Sequence, residues 1–333
     1  MSIKLVSYGV RKVEEEIFNN SNTFGYEVKL VKELLTDDNV NLCEGADGVI
    51  LRGNCKSDKN NLEKMKNMGI KYVLTRTVGF DHIDLNAVKD LGFKLCARVP
   101  AYSPNAVAEL AVSLAVGLRR KTFQMAAKTS VNNFIASDDF FANEIRLSTV
   151  GIVGTGRIGL VSIKSFLGMG AKVLGCDPYA SPAAKELVDI VDIDTIAQEC
   201  DIILLHAQYI KESNHHLINR ELISKMKKGV VIVNAARGQL IDTKALLDGI
   251  ESGKIEGCGL DVIEGESSFF FKNLEGKEIP DTIAQKLASY YPRVIITPHL
   301  GSFTDEAVRN MVEITYKNLD EYLKTGKCGN TII

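Results

Sequence analysis

The chain has 333 residues, 45% hydrophobic and 25% charged, a composition typical of a globular protein with room for two domains. Its formal net charge of −2 gives no electrostatic footprint for nucleic acid or for an anionic membrane. We find neither a secretory signal nor an apolar run of membrane-spanning length, and the seven scattered cysteines favour neither a disulfide framework nor a zinc site, so we expect a cytoplasmic protein.

Short β-rich runs alternate with helical segments through the first hundred residues. The runs are "KLVSY" at 4–8, "YEVKLV" at 26–31, "DGVILR" at 47–52, "KYVLTR" at 71–76 and "FKLCARV" at 93–99. Strands separated by helical segments pair in parallel through crossover connections. The first part of the chain is therefore predicted to form a parallel sheet covered by helices.

A long helix is predicted to begin within "VPAYSPNAVAELAVSLAVGLRRK". Ser103 can cap this helix, and Pro104 can occupy its first position, where proline loses no useful hydrogen-bond donor. The apolar positions then continue for about four turns, at helical spacing. We expect this helix to lead from the first domain into the second.

A second series of strand-like runs follows this helix. Its members are "TVGIVG" at 149–154, "AKVLGCD" at 171–177, "DIILLH" at 201–206, "GVVIVN" at 229–234, "GCGLDV" at 257–262 and "RVIITPH" at 293–299. Their nearly continuous apolar character suits strands covered on both faces. An amphipathic helix from about Thr304 to Leu323 is expected to return to the first domain. The predicted domains are 1–101 with 301–333 and 102–300, and the two crossings predict a cleft with a hinge.

The string "GIVGTGRIG" carries the spacing G-x-G-x-x-G between a predicted strand and a predicted helix. Gly154 suits a tight turn, Gly156 lets a pyrophosphate touch the backbone, and Gly159 lets helix and strand pack closely. The helix N-terminus offers unpaired N–H groups to the phosphates. Asp177 ends the next strand and would bond the ribose hydroxyls, which favours NAD over NADP. The second domain is therefore predicted to be a Rossmann domain that binds NAD.

Polar residues follow the other strands of the second series, at His206, at Asn234 with Arg237, at Asp261 and at His299. Ligands of doubly wound sheets bind beyond the carboxyl ends of the strands. Reduction of a carbonyl by NADH needs a cation to hold and polarise the substrate, and an acid to protonate its oxygen. We therefore expect the reacting groups among these residues.

Arg237 and His299 are the predicted catalytic pair. Arginine holds a carboxylate through two parallel hydrogen bonds, and histidine can donate a proton near neutral pH. A neighbouring carboxylate favours the protonated imidazole. Glu266 could supply it, although the sequence pattern alone does not choose between Glu264 and Glu266. No metal is required for this chemistry.

The remaining histidines are given other roles. His206 is expected to line the adenine side of the cofactor site. His215 and His216 lie in a polar turn and are expected to be solvated, and His82 is expected to be structural.

At these residues the chain resembles the D-2-hydroxyacid dehydrogenases, NAD-dependent enzymes that interconvert 2-oxo acids and (R)-2-hydroxy acids. The motifs that carry the resemblance are "RTVGFDHID" at 76–84, "VPAYSPNAVAELA" at 99–111, the glycine loop, "NAARGQLID" at 234–242, "LDVIEGE" at 260–266 and "ITPH" at 296–299. They stand in the family's order and cover nearly the whole chain. The resemblance implies two doubly wound parallel-sheet domains, a Rossmann NAD-binding domain and a flavodoxin-like substrate domain. It also implies a homodimer through the cofactor domain.

The resemblance implies a role for each catalytic position. Arg237 would bind the substrate, His299 would be the acid/base, and Glu266 rather than Glu264 would be its carboxylate partner. The positions implied for substrate contact are the backbone N–H groups of Val78 and Gly79, which would hold the carboxylate, and Tyr102, which would close the pocket.

The resemblance also implies a set of cofactor contacts. The positions are Gly154, Gly156, Arg157, Ile158, Gly159, Asp177, His206, Ala207, Gln208, Asn214, Ala235 and Asp261. Arg157 and Ile158 match pyrophosphate-contacting positions, and Asp261 matches the partner of the nicotinamide amide. The sequence departs from the family at Gln208, where a proline is common. This departure affects the cofactor contacts implied for Ala207, Gln208 and Asn214.

The substrate is interpreted from "VILRGNC", which places Arg52 directly beyond a predicted strand. A cation there could pair with a second carboxylate, which favours 2-oxoglutarate, and the motif resembles the 2-hydroxyglutarate dehydrogenase branch of the family. Phe270 and Phe271 could instead wall an apolar pocket, as for a D-lactate or (R)-2-hydroxyisocaproate dehydrogenase. An NADH-sensing corepressor or scaffold is the alternative from another class, and the full catalytic set argues against it.

Overall fold

The computed structural model describes residues 2–333 and separates them into two compact units. The first unit extends to Ser103 and includes Phe303–Ile333, and the second unit is Pro104–Ser302. The sequence analysis predicted that the chain passes between the two domains after residue 101 and after residue 300, in each case two residues earlier.

The regular elements follow the predicted alternation. The strands are β1 Lys4–Ser7, β2 Glu27–Leu30, β3 Gly48–Leu51, β4 Tyr72–Thr75, β5 Leu95–Ala97, β6 Thr149–Val153, β7 Lys172–Cys176, β8 Asp189–Ile190, β9 Ile202–Leu205, β10 Val230–Asn234, β11 Ile255–Leu260 and β12 Val294–Ile296. The helices are α1 Glu15–Ser21, α2 Lys59–Asn67, α3 Leu85–Asp90, α4 Pro104–Arg119, α5 Thr122–Thr129, α6 Arg157–Gly168, α7 Pro182–Lys185, α8 Ile193–Glu199, α9 Lys211–Asn214, α10 Arg220–Lys225, α11 Thr243–Glu251, α12 Thr282–Ala288 and α13 Asp305–Thr325.

The first unit contains a five-stranded parallel sheet in the order β2-β1-β3-β4-β5. This is the flavodoxin-like order, in which the chain changes direction of winding between β1 and β3. Every residue of β3 and β4 is buried, as expected for central strands covered on both faces. Helix α13 completes one layer, with the buried ring of Tyr316 packing edge-on against Phe18.

The second unit contains a seven-stranded parallel sheet in the order β12-β11-β10-β9-β6-β7-β8. Its winding direction reverses between β6 and β9, as in a Rossmann fold. Alternate residues of the central strands enter different cores, Ile203 and Ile232 on one face and Ile202 and Val233 on the other. The two all-parallel sheets confirm the predicted fold class.

A few features differ from the prediction or complete it. The two-residue strand β8 was not predicted, because so short a run carries no periodic signal. Helix α13 extends two residues beyond the predicted end. The side chain of Thr304 caps its start by accepting the N–H of Ala307 at 3.3 Å, and Gly326, in the left-handed region, follows its last residue.

All seven cysteines carry free thiols. Within residues 2–333, no helix combines the length and the apolar character needed to cross a bilayer.

Candidate active site

The glycine loop joins β6 to α6 at the point where the winding of the second sheet reverses. Gly154 has φ +93, and a Cβ on it would lie 2.4 Å from the backbone nitrogen of Ala207, just beyond β9. A Cβ on Gly159 would lie 2.1 Å from the carbonyl oxygen of Gly154. These two glycines are therefore required by the packing of the chain on itself.

Gly156 is a glycine for a different reason. A Cβ on it would meet no atom within 4 Å, and its backbone lies in the ordinary extended region. Gly156 caps α6 without a side-chain hydrogen bond, and the exposed Arg157 and half-buried Ile158 begin the helix. The first N–H groups of a helix have no partner within it, and they attract anions. The open space above Gly156 thus fits a dinucleotide pyrophosphate.

Asp177 follows β7 and is held in place by backbone donors. One carboxylate oxygen accepts the N–H of Thr155 at 2.8 Å and its hydroxyl at 3.2 Å. The other oxygen accepts the N–H of Tyr179 at 2.8 Å. The carboxylate therefore stands beside the glycine loop, where the sequence analysis placed the ribose partner.

His206 follows β9 and packs behind the glycine loop. Its Nε2 lies 2.9 Å from the hydroxyl of Ser162 in α6, and its buried Nδ1 has no hydrogen-bond partner in residues 2–333. Burial lowers the pKa of His206 to about 4, so the ring is neutral at neutral pH. The predicted placement toward the adenine stays a prediction.

His206 predicts a pH dependence of stability. The unfolded ring binds a proton below about pH 6.5, whereas the folded ring does so only near pH 4, so the unfolded state gains stability as the pH falls between these values. We expect the free energy of unfolding to fall by about 2–3 kcal/mol more in the wild type than in His206→Asn between pH 7 and pH 4. Urea unfolding at a series of pH values measures this difference. Parallel curves for the two proteins would contradict it.

The segment after His206 forms a loop held by Asn214. The Asn214 side chain donates to the carbonyl of Gln208 and accepts the N–H of Ile210, each at 2.7 Å. Both ends of this amide are thus used within the loop, and its implied cofactor contact stays a prediction, as do those of Ala207, Gln208 and the half-buried Ala235.

The predicted acid/base and its carboxylate partner lie together. Nδ1 of His299 is 2.6 Å from one oxygen of Glu266, whose other oxygen accepts the N–H of Ile263 at 3.0 Å. The imidazole is about a third exposed, while the Glu266 carboxylate is more buried. Because Nδ1 faces the carboxylate, Nε2 is the ring nitrogen left to exchange a proton with a substrate. Glu264 lies apart from this pair and contacts His216 at 2.9 Å instead.

The turn that carries His299 is built around the buried Asp261. The carboxylate of Asp261 accepts the N–H groups of Leu300 and Gly301 and the hydroxyl of Thr297, at 2.6 to 2.9 Å. The N–H of His299 donates to the Asp261 carbonyl at 2.9 Å, and His299 adopts φ +53, which is uncommon for a side chain with a Cβ. The sequence analysis missed this positioning role, because it depends on a turn 39 or 40 residues further along the chain.

Arg237 follows β10 in a turn that Asn234 holds. The buried Asn234 amide donates to the carbonyl of Arg237 at 2.9 Å and accepts the N–H of Ala236 at 3.1 Å. The half-buried guanidinium of Arg237 donates to the carbonyl of Ala236 at 2.7 Å. Asn234 was noted as a strand-end residue but not recognised as the support of Arg237, although an asparagine at that position is a turn signal.

In the first unit, the loop after β4 presents backbone donors. The carbonyl of Val78 accepts a guanidinium hydrogen bond from Arg98 at 3.2 Å, and the carbonyl of Gly79 accepts the hydroxyl of Thr77 at 2.7 Å. The N–H groups of Val78 and Gly79 have no acceptor among the residues that the structure describes. The half-buried Tyr102 is anchored through its carbonyl, which accepts from Asn310 at 2.7 Å.

Arg52 lies in a cluster of charged side chains at the point where the first sheet reverses its winding. The buried Arg76 pairs with the buried Glu14 at 2.9 Å and donates to the carbonyl of Gly9 at 2.9 Å, and Arg11 pairs with Glu14 at 3.2 Å. A Cβ on Gly9 would lie 3.3 Å from Cδ of Arg52. Burial, and then the charges of Arg11 and Arg76, lower the pKa of Arg52 to about 10.

The comparison with known proteins agrees with this geometry. Residues 112–301 match the family described as "D-isomer specific 2-hydroxyacid dehydrogenase, NAD binding domain". Over 330 residues, the chain is 44% identical to an aromatic 2-oxoacid reductase of Clostridium sporogenes, and the match covers 98% of each chain. It is 38% identical to a D-lactate dehydrogenase of Lactiplantibacillus plantarum, across 99% of each chain. The chain belongs to the D-isomer specific 2-hydroxyacid dehydrogenase family.

A solved structure gives the same result for the fold. A D-lactate dehydrogenase from Treponema pallidum superposes with a TM-score of 0.88 at 34% identity, covering 99% of this chain and 100% of that one. This D-2-hydroxyacid dehydrogenase is thus an NAD-dependent enzyme that acts on CH–OH donors, as predicted. The glycine cradle and the helix N-terminus fit the cofactor in shape and in charge.

Proposed function

We propose that this D-2-hydroxyacid dehydrogenase reduces 2-oxoglutarate to (R)-2-hydroxyglutarate. The observation that carries the substrate assignment is the cluster of Arg11, Arg52 and Arg76 around Glu14. Three guanidinium groups lie near this one carboxylate, and Arg76 pairs with Glu14 in the interior. Arg11 and Arg52 are the more exposed cations of this cluster.

The position of Arg52 supports a ligand role. It follows β3 beside Gly9, which follows β1, and these two strands flank the switch point of the first sheet. Ligands of open parallel sheets bind at such points. Burial, and then the charges of Arg11 and Arg76, lower the pKa of Arg52, and an added carboxylate would relieve the repulsion between these cations. A dicarboxylate is therefore favoured over a 2-oxo acid with a short apolar side chain.

The mechanism assigns one task to each catalytic group. When bound, NADH supplies the hydride that reduces C2 of the oxo acid. Arg237 holds the substrate and polarises its carbonyl group, and Nε2 of His299 donates the proton that the oxygen takes up. Glu266 holds Nδ1 and stabilises the charged imidazole before the proton leaves. The N–H groups of Val78 and Gly79 are proposed to bind the carboxylate next to the carbonyl.

The experiment follows NADH oxidation at 340 nm with 2-oxoglutarate, pyruvate and phenylpyruvate. We expect 2-oxoglutarate to have the highest kcat/KM, and Arg52→Ala to lower that value by about 10- to 100-fold, as the loss of a charged hydrogen bond predicts. Turnover of pyruvate should stay within about threefold. Lys56→Ala is the control, because Lys56 is an exposed cation four positions away from Arg52. This variant should leave kcat/KM unchanged for all three substrates.

Two outcomes would contradict the assignment. Equal losses on pyruvate and 2-oxoglutarate would mean that Arg52 acts on the structure rather than on a distal carboxylate. A wild-type preference for phenylpyruvate would favour the second candidate, an aromatic 2-oxo acid. That candidate is supported by the 44% identity to the aromatic 2-oxoacid reductase and by Phe271, which is 40% exposed. Phe270 is buried and belongs to the core instead.

We also propose that two copies associate through the second unit, as the resemblance implies. Large apolar side chains between α5 and β6 are exposed, with Val131, Phe134, Ile135 and Phe141 each more than 70% accessible. Such a patch favours a protein–protein contact. Light scattering should give twice the chain mass of 36.5 kDa, and Phe134→Asp combined with Phe141→Asp should give the monomer mass. A monomeric wild type would contradict the dimer.

The cytoplasmic location is likewise a proposal. All seven cysteines are free thiols, and such usage is typical of reducing compartments. Recovery of the activity in the membrane or secreted fraction of disrupted cells would contradict it.

A further inference from the structure

A second cluster of histidine and glutamate lies in the same unit as the catalytic pair but shares no side chain with it. A nitrogen of His215, a nitrogen of His216 and a carboxylate oxygen of Glu264 all lie within 4.8 Å of one another. Within the cluster, Nε2 of His216 lies 2.9 Å from an oxygen of Glu264. The mechanism uses none of these three groups.

We propose that His215, His216 and Glu264 form a binding site for a divalent transition-metal ion of the zinc class. Imidazole nitrogen with carboxylate oxygen is a donor set that Zn²⁺, Co²⁺ and Ni²⁺ accept. In a tetrahedral zinc site, two ligand atoms stand about 3.4 Å apart, since each bond is about 2.1 Å long. Donor separations of up to 4.8 Å must therefore shorten by as much as about 1.4 Å, and the 2.9 Å pair of His216 and Glu264 must open by about 0.5 Å. Three protein ligands leave one position for water.

The backbone already fixes two of the three ligands. The N–H of His216 donates to the carbonyl of Gln239 at 2.9 Å, and His216 adopts φ +52. A Cβ on Gly238 would lie 2.3 Å from the nitrogen of Glu264, so the Glu264 backbone packs directly on the same turn. One rigid turn, Gly238–Leu240, thus holds two ligands from segments that are 48 residues apart.

The third ligand is adjustable. The rings of His215 and His216 stack with centroids 3.8 Å apart and an angle of 22° between their planes. Imidazole lone pairs lie in the ring plane, so one ring must turn before both can bind one ion. His215 is exposed and can turn; in its present orientation, its Nδ1 lies 3.2 Å from the Tyr209 hydroxyl.

The ion would tie together two segments next to the catalytic machinery. Glu264 stands two residues before Glu266, and the turn under both ligands begins directly after Arg237. Binding is therefore expected to stabilise the second unit and to restrain the loop from Ile263 to Glu266. The site takes no part in hydride or proton transfer.

The test titrates Co²⁺ into the untagged, chelator-treated chain and follows the visible absorption of the ion, with calorimetry for the stoichiometry. We expect one Co²⁺ per chain, displaced by Zn²⁺, and a rise in Tm on binding. His216→Gln and Glu264→Gln should each weaken binding at least about tenfold, the scale measured for disturbed metal sites. Glu212→Gln, at an exposed glutamate in α9, removes the same charge and should bind as the wild type does.

Circular dichroism establishes that each variant is folded, and His215→Gln provides a third ligand variant should one of the others fail to fold. The proposal is overturned if the wild type shows no saturable binding below millimolar Co²⁺. It is also overturned if a folded ligand variant binds with wild-type affinity, or if Glu212→Gln loses affinity to the same extent.

Discussion

Replacing His299 with glutamine is expected to lower kcat for 2-oxo acid reduction by about 10²–10⁴-fold, the range typical of a lost general acid. The imidazole presents Nδ1 to Glu266 at 2.6 Å, so Nε2 is the atom that can deliver a proton. Glutamine can hydrogen-bond to the substrate but cannot supply a proton at neutral pH. Single-turnover oxidation of NADH measures the step, and fluorescence titration should show NADH affinity unchanged within about twofold.

Two further variants sharpen this result. Glu266→Gln keeps an oxygen for the N–H of Ile263 but removes the charge facing Nδ1, so we expect a smaller loss than in His299→Gln. His82→Gln is the matched control, because His82 contacts Thr75 in the first unit and has no part in the pair. A His299→Gln enzyme with near wild-type turnover would require a different proton donor.

The second large effect separates two glycines of one motif. Gly159→Ala places a methyl group 2.1 Å from the carbonyl oxygen of Gly154, so α6 must move away from β6. We expect the free energy of unfolding to fall by about 3 kcal/mol, at the upper end of overpacking effects. Gly156→Ala meets no atom within 4 Å and should change stability by less than about 0.5 kcal/mol.

NADH affinity should respond differently in the two variants. Gly156→Ala should weaken NADH binding at least about tenfold in a fully stable protein, because the methyl group occupies the surface proposed to meet the pyrophosphate. Urea unfolding and NADH fluorescence titration, performed on both variants, measure the two effects separately. Normal NADH affinity in Gly156→Ala would place the pyrophosphate elsewhere, and normal stability in Gly159→Ala would contradict the helix–strand packing.

Much of the fold could be predicted from the sequence because its signals are local. Apolar runs such as "IILL" at 202–205 and "VVIVN" at 230–234 predict strands covered on both faces, and both are fully buried. The glycine spacing predicts the turn at Gly154 because only glycine tolerates φ +93 against a neighbouring backbone. The order of the strands also predicts that the residues following them share one edge of the sheet.

The pairing of the two glutamates with the two histidines was decided by the tertiary structure. Glu264 and Glu266 stand two positions apart in one loop, so periodicity cannot distinguish them. In the fold Glu266 meets His299 and Glu264 meets His216, contacts that span 33 and 48 residues. The family resemblance predicted the first pairing, whereas nothing in the sequence predicted the second.

The sequence by itself determined the two parallel sheets, the NAD-binding loop and the chemical types of the reacting groups, because these depend on neighbouring residues and on the direction of each strand. Only the tertiary structure decided how those groups are held. The buried carboxylate of Asp261 shapes the turn of His299, the amide of Asn234 shapes that of Arg237, and Arg52 joins Arg11 and Arg76. Such contacts depend on the distances between loops, and those distances are set only when the strands assemble into sheets.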